Sequence, residues 1–278
     1  MNEYGVVVSH HDSKKHIAQV TLDRPDKKNA MDETMWSGLE EAARTLRTPL
    51  PRAIIVTGTP GGAFCAGMDV HPDNPQIQDF SAAVCNNDID AARRLLLRIR
   101  RAVDALTSLP VPLIAAIGGI AYGGGAELAM RCDMRVMDPG AVICFSEVRL
   151  GLMPDWGGGV ALRRIVGPAV AADLILTARK VRAEEALALG LVNRVSEPGK
   201  CLDVSLETAS AIANNGPRSV RAALSVIREG GDLSFEDALD LETERATELI
   251  ATGECVTGIS AFLSGTPPEF PDAPGDDE

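Results

Sequence analysis

The stretch AYGGGAELAM, residues 121–130, places three consecutive glycines and one carboxylate in front of an apolar run. Glycine loses more backbone freedom on folding than any other residue, so Gly123, Gly124 and Gly125 are unfavourable to order. Burial of the Glu127 carboxylate also costs free energy if its apolar neighbours lie in the protein interior. We therefore ask which chemistry would require both features at one place.

The glycine triplet follows a strand-like run, LIAAI (113–117), and begins a helix-like segment. The first N–H groups of a helix lack intrahelical partners, and the helix dipole adds partial positive charge there. Because glycines let a ligand atom approach this backbone closely, the segment suits an oxygen that carries or develops negative charge. Taken alone, a tight strand–helix junction with a favourable acid in its first turn is the simpler explanation.

A second glycine-rich loop, GTPGGAFCAGMDV (residues 58–70), has the same setting after the apolar run AIIVTG (53–58). Two such loops can direct N–H groups at one oxygen from two sides, which is the geometry of an oxyanion hole. Other glycine motifs do not fit. The triplet lacks the third glycine of GxGxxG and the lysine of a P-loop, and the chain contains no GxSxG.

Strand-like and helix-like segments alternate along the chain, which predicts one α/β domain with a helical C-terminal third after about residue 155. Asp32 is a predicted helix N-cap, and apolar residues every three or four positions from Ile89 to Leu106 predict a further helix. The main predicted strands are at 4–10, 16–22, 53–58 and 113–119.

Charge and cysteine content limit the possible partners. The formal net charge of −12 argues against nucleic acid and membrane surfaces, since both require a basic face. The six cysteines are scattered without a CxxC pair, which predicts a reducing, cytoplasmic location. The four histidines show no metal-ligand spacing, so no metal is expected. The Pro-rich, acidic segment 265–278 is predicted to be disordered.

Four segments, taken in order, resemble the enoyl-CoA hydratase/isomerase (crotonase) family over residues 5–265. They are RPDKKNAMD (24–32), AFCAGMDV (63–70), IGGIAYGGGAELAMRCD (117–133) and FSEVRLGLMPDWGGG (145–159). The resemblance implies a crotonase-like spiral of ββα turns, which we place at residues 1–200, and a helical trimerisation region at 201–264. It also implies an acyl-CoA thioester substrate, no cofactor beyond the coenzyme A of that substrate, and a homotrimer or homohexamer.

In that family two backbone N–H groups bind the thioester carbonyl oxygen, and the resemblance assigns them to Met68 and Gly124. It makes Glu127 and Glu147, which lie 20 residues apart, an acid/base pair. Glu127 would activate water and Glu147 would protonate C2. Close carboxylates in a poorly hydrated site should titrate together, with one pKa raised.

Binding of coenzyme A and substrate is also assigned by resemblance. The positions are Arg24, Lys27, Asn29, Ala30, Ala66, Gly67, Asp69 and Gly123. The region 71–95 is expected to line the acyl pocket.

Asp155 departs from the usual pattern, because typical hydratases carry a small residue at this position, eight after the second glutamate. Acids occur here in the family's enoyl-CoA and dienoyl-CoA isomerases, where they shuttle protons, whereas a cap for the helix starting at WGGG is the structural alternative. We therefore predict an enoyl-CoA hydratase (a lyase), with a double-bond isomerase using Asp155 as the alternative. A non-catalytic member binding acyl-CoA or RNA is the third hypothesis.

Overall fold

The computed structural model describes residues 4–12 and 16–273. Its strands lie in two sheets of six and three strands within these ranges. They are β1 (Val6–His10), β2 (Ile17–Leu22), β3 (Ala53–Gly58), β4 (Leu113–Ile117), β5 (Ile120–Tyr122), β6 (Met134–Met137), β7 (Val142–Cys144), β8 (Val181–Arg182) and β9 (Arg194–Val195).

Helices cover both sheets and make up most of the C-terminal third. They are α1 (Glu33–Thr45), α2 (Pro75–Cys85), α3 (Ile89–Thr107), α4 (Gly124–Arg131), α5 (Gly158–Thr177), α6 (Ala183–Ala188), α7 (Cys201–Ala213), α8 (Pro217–Glu229), α9 (Phe235–Ala251) and α10 (Glu254–Ser264). Short 3-10 helices lie at Pro25–Lys27, Glu147–Leu150 and Gly230–Asp232. No helix in the described ranges is both long and apolar enough to cross a bilayer.

The chain spirals between the two sheets. The large sheet has the order β1-β2-β3-β4-β6-β9, with β1 antiparallel to β2 and every later pair parallel; the small sheet has the order β5-β7-β8. Strand β4 in the large sheet is followed by β5 in the small one, and β6 is followed by β7. After β3, Cys65 forms a bridge to Ala121 of β5 and continues this alternation. The predicted ββα spiral is the observed architecture.

The centre of the large sheet is buried on both faces. Every residue of β3 and β4 is buried, as expected for parallel strands enclosed by helices. On one face Ile55 and Ile114 pack against α7, and the other face belongs to the main core, in which α1 contributes the fully buried Trp36. The predicted strands at these positions and the hairpin that opens the chain are confirmed.

Two helices show local features that the sequence explains. Asp32 caps α1 as predicted, because its side chain accepts a hydrogen bond from the Met35 N–H at 3.1 Å. Helix α5 is kinked at Gly167, where φ is 77°, and the following Pro168 has no N–H to continue the ladder.

Only half of the apolar stripe on α3 enters the core. Ile99 and Val103 are buried, whereas Ile89 is 76% exposed and Leu96 is 39% exposed. The N-terminal half of this helix instead borders clefts that also involve α2.

Part of the segment predicted to be disordered makes specific contacts, which involve residues 270 and 272. The Arg52 guanidinium donates to the Phe270 carbonyl oxygen at 2.7 Å and to the Asp272 carboxylate at 2.8 Å. Arg52 is itself held by the carbonyl of Ala213 at the end of α7. Residues 274–278 of the predicted disordered tail lie outside the described residues.

A substitution in the glycine triplet tests the close contact between α4 and the second loop. Alanine in place of a helical glycine ordinarily stabilises a helix, but a Cβ at Gly125 would overlap the carbonyl of Cys65, which is fixed by the N–H of Tyr122 at 2.9 Å. We expect Gly125→Ala to lower the free energy of unfolding by about 1–3 kcal/mol, measured by denaturant titration.

The matched control is Gly258→Ala in α10, where the new Cβ would meet Phe270 at an ordinary 3.4 Å. That variant should be as stable as the parent or more so. Equal stability of the two variants would contradict the close contact at Gly125.

Candidate active site

The second glycine-rich loop is fixed by pairing with the segment that precedes α1. The Ala66 N–H donates to the Lys28 carbonyl at 3.0 Å, and Met31 exchanges backbone hydrogen bonds with Gly67 and Asp69, both at 2.8 Å. On its other side the loop pairs with β5 through the bridge from Cys65. Because β5 leads directly into the glycine triplet, this pairing brings the two glycine-rich loops together.

Gly67 lies directly against the start of α4. Its φ of +93° is in the region that favours glycine, and a Cβ built there would lie 3.2 Å from the backbone nitrogen of Gly124. Among the described residues, no acceptor binds the N–H of either Met68 or Gly124. Two unsatisfied donors therefore lie in neighbouring segments, as an oxyanion hole requires.

The triplet is glycine for packing reasons as well. Side chains at Gly124 and Gly125 would overlap the indole of Trp156 and the carbonyl of Cys65, respectively. Trp156 is buried and packs edge-on against Trp36, with ring centroids 4.6 Å apart. The glycines thus allow an aromatic side chain and a backbone segment to approach α4 from different sides.

Glu127 is 1% exposed, and its carboxylate is bound entirely by backbone. It accepts N–H hydrogen bonds from Asp155 at 3.1 Å, from Trp156 at 2.9 Å and from Gly158 at 2.9 Å. These donors lie at the start of α5, where free N–H groups and the helix dipole favour negative charge. Glu127 therefore serves as the cap that α5 lacks among its own side chains.

Glu147 is buried beside Glu127 in a different environment. It begins a 3-10 helix, and its side chain lies near Gly123, where a Cβ would be 3.7 Å from Oε1. Among the described residues, neither of its carboxylate oxygens has a hydrogen-bond partner. A buried carboxylate without donors is strongly disfavoured, so this group favours its neutral form.

The two carboxyl groups titrate as a pair. Burial raises the pKa of Glu127 to about 8, the charge of Glu147 adds to the rise, and the N–H donors oppose it. Burial also raises the pKa of Glu147. The pair therefore holds one proton near neutral pH. Among the described residues, three backbone N–H groups favour the charged form of Glu127, whereas no group donates a hydrogen bond to the carboxylate of Glu147.

Asp155 adjoins this pair but caps no helix. Helix α5 begins at Gly158 with Gly157 as its N-cap residue, which has no side chain to cap it, and the Gly158 N–H is bound by Glu127 instead. The Asp155 carboxyl is half-buried, and burial raises its pKa to about 6. Its charge also raises the pKa of both glutamates, so the three predicted acids are together.

The side chains of several residues assigned to coenzyme A binding form hydrogen bonds or ion pairs with other residues of the protein. The Arg24 guanidinium contacts the Asp69 carboxylate and the Ala30 carbonyl at 2.7 and 2.8 Å. The amide of Asn29 is buried and donates to the carbonyls of Ala63 and Phe64. Arg24, Asn29 and Asp69 thus fix the loop pairing described above, which leaves their side chains little freedom to bind a phosphate.

The other positions assigned to coenzyme A binding could contact a ligand mainly through their backbone atoms or, at Lys27, through an exposed side-chain amine. Lys27 is exposed. The pKa of Asp69 lies below its usual range although burial acts to raise it, because the His71 N–H, Arg24 and, least of all, the charge of Lys27 lower it. Ala30 and Ala66 present backbone close to Gly67, and the N–H of Gly123 is bound by the Cys144 carbonyl at 2.9 Å. Within residues 4–12 and 16–273, no group of three or more ligating side chains is placed to hold a metal ion.

Two residues of this site were not predicted from the sequence. The indole ring of Trp156 lies against Gly124, and the backbone N–H of Trp156 donates to the Glu127 carboxylate. Arg131 donates to the Trp156 carbonyl at 3.0 Å and pairs with Asp104 at 2.6 Å, which fixes the loop before α5. The only sequence signal for Trp156 is a large aromatic residue amid glycines, and the partner of Arg131 is not visible in the sequence.

Comparisons with known proteins agree with this architecture. Residues 12–273 match the family model described as enoyl-CoA hydratase/isomerase. The short-chain-enoyl-CoA hydratase of Clostridium acetobutylicum is 32% identical over 89% of this chain and 91% of its own. The crotonyl-CoA hydratase of Syntrophomonas wolfei is 31% identical over 91% of this chain and 93% of its own. The crystal structure of an enoyl-CoA hydratase from Bacillus anthracis superposes with a TM-score of 0.87 at 29% identity, over 97% of this chain and 100% of that one. The predicted fold is confirmed.

The shared proton has a consequence for stability. The pKa of each glutamate is higher in the folded chain than its ordinary value of 4.5, so the folded state binds more protons between about pH 4.5 and about pH 8. The free energy of unfolding must fall as the pH rises through this window. We expect Glu147→Gln to flatten that fall, because it removes one carboxyl and lowers the pKa of the other.

The measurement is denaturant unfolding of the parent and of Glu147→Gln at pH values from 4.5 to 8.5. Groups elsewhere contribute equally to both proteins and cancel in the difference. Parallel stability curves for the two proteins would show that the carboxyls do not share a proton.

Proposed function

Because the chain belongs to the enoyl-CoA hydratase/isomerase family, we propose that its buried glutamate pair adds water across the 2,3 double bond of a 2-enoyl-CoA thioester. The observation that carries this proposal is the unequal environment of Glu127 and Glu147. Backbone donors favour the charged form of Glu127, and burial without donors favours the neutral form of Glu147, so we assign the base to Glu127 and the acid to Glu147. A base and an acid are thereby available side by side at one pH.

The thioester carbonyl oxygen binds the N–H groups of Met68 and Gly124 in this proposal. As water attacks C3, charge moves onto that oxygen to form an enolate, and preorganised donors stabilise it more than they stabilise the substrate. The free donors and the closeness of Gly67 to Gly124 support this assignment. Both contributions come from backbone, so the side chain of Met68 has no role in this step.

The proton transfers balance within the pair. Glu127 accepts a proton from water as the water oxygen bonds to C3, and Glu147 delivers its proton to C2 as the enolate collapses. The product carries a hydroxyl on C3 and a new hydrogen on C2. A proton passed from Glu127 to Glu147 restores the starting state, and no cofactor beyond the coenzyme A of the substrate takes part.

Assembly and location belong to the same proposal. We propose a homotrimer or homohexamer, because α8–α10 present many exposed apolar side chains: Ile227, Phe235, Ile250, Val256, Phe262 and Leu263. Such a surface is typical of subunit contacts. We also propose a cytoplasmic location, which the free cysteines favour.

Double-bond isomerisation remains a second candidate because of Asp155. Its carboxyl has a pKa raised to about 6 and lies beside the pair, where it is suited to carry a proton between carbons of an enoyl-CoA. A non-catalytic role in acyl-CoA or RNA binding would give no reason for the buried Glu147 carboxyl, which has no hydrogen-bond partner among the described residues.

Substitution of the three acids separates these functions. We expect Glu147→Gln and Glu127→Gln each to lower kcat for crotonyl-CoA hydration by about 100-fold or more, since loss of a general acid or base costs roughly that much. Asp155→Asn should retain hydration within about tenfold. The measurements are the loss of enoyl-CoA absorbance and, in parallel, isomerisation of a 3-enoyl-CoA.

The opposite pattern identifies the isomerase. If Asp155→Asn abolishes all turnover, including isomerisation of the 3-enoyl-CoA, the assignment of the glutamates is wrong. Circular dichroism of each variant excludes unfolding as the cause.

A charge on the exposed helical surface tests assembly. We expect the parent to sediment as a trimer or hexamer, and Phe262→Asp to shift it toward smaller species, because Phe262 is 83% exposed on α10. Val84→Asp places the same charge at an exposed position on α2 and should leave the mass unchanged. A monomeric parent in analytical ultracentrifugation would contradict this proposal.

A further inference from the structure

A cavity of about 370 Å³ opens beside the acid cluster, between the loop 151–155 and helices α2 and α3. Its lining is apolar, with Phe80 from α2, Ala92 and Leu96 from α3, and Leu152 and Met153 from the loop. Asp155 completes the lining. Because the Asp155 N–H is bound to Glu127, this end of the cavity adjoins the glutamate pair.

The apolar side chains around this cavity are exposed although the chain has a large core elsewhere. Leu96, Leu152 and Met153 are 39%, 40% and 69% exposed. Leu96 belongs to the half of the α3 stripe that does not enter the core. An apolar ligand in the cavity would cover this surface, which gives a physical reason for its composition.

The charge of the lining restricts what that ligand is. Among the described residues, Asp155 is the only ionisable side chain of the lining, and no lysine, arginine or histidine belongs to it. A ligand with a terminal carboxylate would lose its hydration there without gaining a cation, and it would lie near another acid. The cavity therefore favours an uncharged hydrocarbon.

The far side of the cavity limits the length of the ligand. Phe80 and Ala92 also line a second cleft of about 470 Å³, whose other lining residues include Glu33, Gln76, Asp79 and Arg98. A hydrocarbon that passes Phe80 would meet charged and amide groups. Methylene groups of the acyl chain beyond Phe80 should therefore add no further binding free energy.

We propose, on the basis of the proposed function, that the substrate is a 2-enoyl-CoA with an uncharged hydrocarbon acyl chain longer than the four-carbon crotonyl group, whose tail occupies the cavity beside Asp155. The same lining disfavours an acyl chain whose terminal carboxylate would lie inside this cavity. Ala92 determines the length limit, because it lies where the apolar cavity meets the polar cleft.

The test is kcat/KM for 2-enoyl-CoA substrates of four, six, eight and ten carbons, and for a six-carbon 2-enoyl-CoA with a terminal carboxylate. Each buried methylene should raise kcat/KM about fourfold until the tail reaches Phe80. The carboxylate-bearing substrate should be at least about tenfold poorer than its six-carbon hydrocarbon counterpart. A flat series, or preference for the carboxylate, would overturn the proposal.

Two matched variants locate the tail. Ala92→Phe fills the cavity and should lower the ratio of eight-carbon to four-carbon kcat/KM by about tenfold or more. Ala82 lines the polar cleft but not the apolar cavity. Ala82→Phe therefore adds the same ring outside the cavity and should keep the parental ratio of eight-carbon to four-carbon kcat/KM. Equal ratios in the parent and in Ala92→Phe would place the tail elsewhere.

Binding separates this proposal from the proposed reaction. Calorimetry with saturated butanoyl-CoA and octanoyl-CoA measures the tail contribution without turnover, and octanoyl-CoA should bind more tightly to the parent but not to Ala92→Phe. If no 2-enoyl-CoA is hydrated and this difference persists, the proposed reaction fails and the tail site stands. If crotonyl-CoA is hydrated and the difference is absent, the tail site fails alone.

Discussion

The site depends on one interaction, the binding of a buried carboxylate by the backbone at the start of a helix. Glu127 on α4 accepts three N–H groups that precede and open α5. Without them the charge would be strongly disfavoured at this depth, and α5 would have no cap. A side chain at Gly158 would overlap Glu127 itself, so glycine on the donor side is as necessary as the acid on the other. Charge, helix start and glycine are thus parts of a single arrangement.

The sequence predicted this region well because its signals are local. Strand β3 and strand β4 are short apolar runs, the N-cap Asp32 precedes a clear amphipathic helix, and the glycines mark both loops. The predicted meeting of those loops follows from the pairing of Cys65 with Ala121 of β5, since β5 leads directly into the glycine triplet. What the residues alone left open was why three glycines occur together. The answer requires Trp156 and Cys65, which reach α4 from distant parts of the chain.

Other features of the site could not be predicted from the sequence, because they also depend on contacts between distant segments. Arg24 and Asn29 occupy positions that suggest ligand contact, yet their hydrogen bonds go to Asp69 and to carbonyl groups of the paired loop. Asp155 resembles a helix cap in sequence, but the capping group is an acid 28 residues earlier. Periodicity on α3 predicted a helix and not the depth of its burial, since burial depends on what the neighbouring helices leave uncovered.

The single proton held between Glu127 and Glu147 also bears on the direction of the proposed chemistry. The pair has the same number of protons before and after each cycle, so nothing in the site favours one side of the reaction. By microscopic reversibility, a protein that hydrates a double bond in this way dehydrates the 3-hydroxyacyl product through the same positions. The net flux is then set by the concentrations of the two thioesters, and an irreversible neighbouring reaction would be needed to give it a direction.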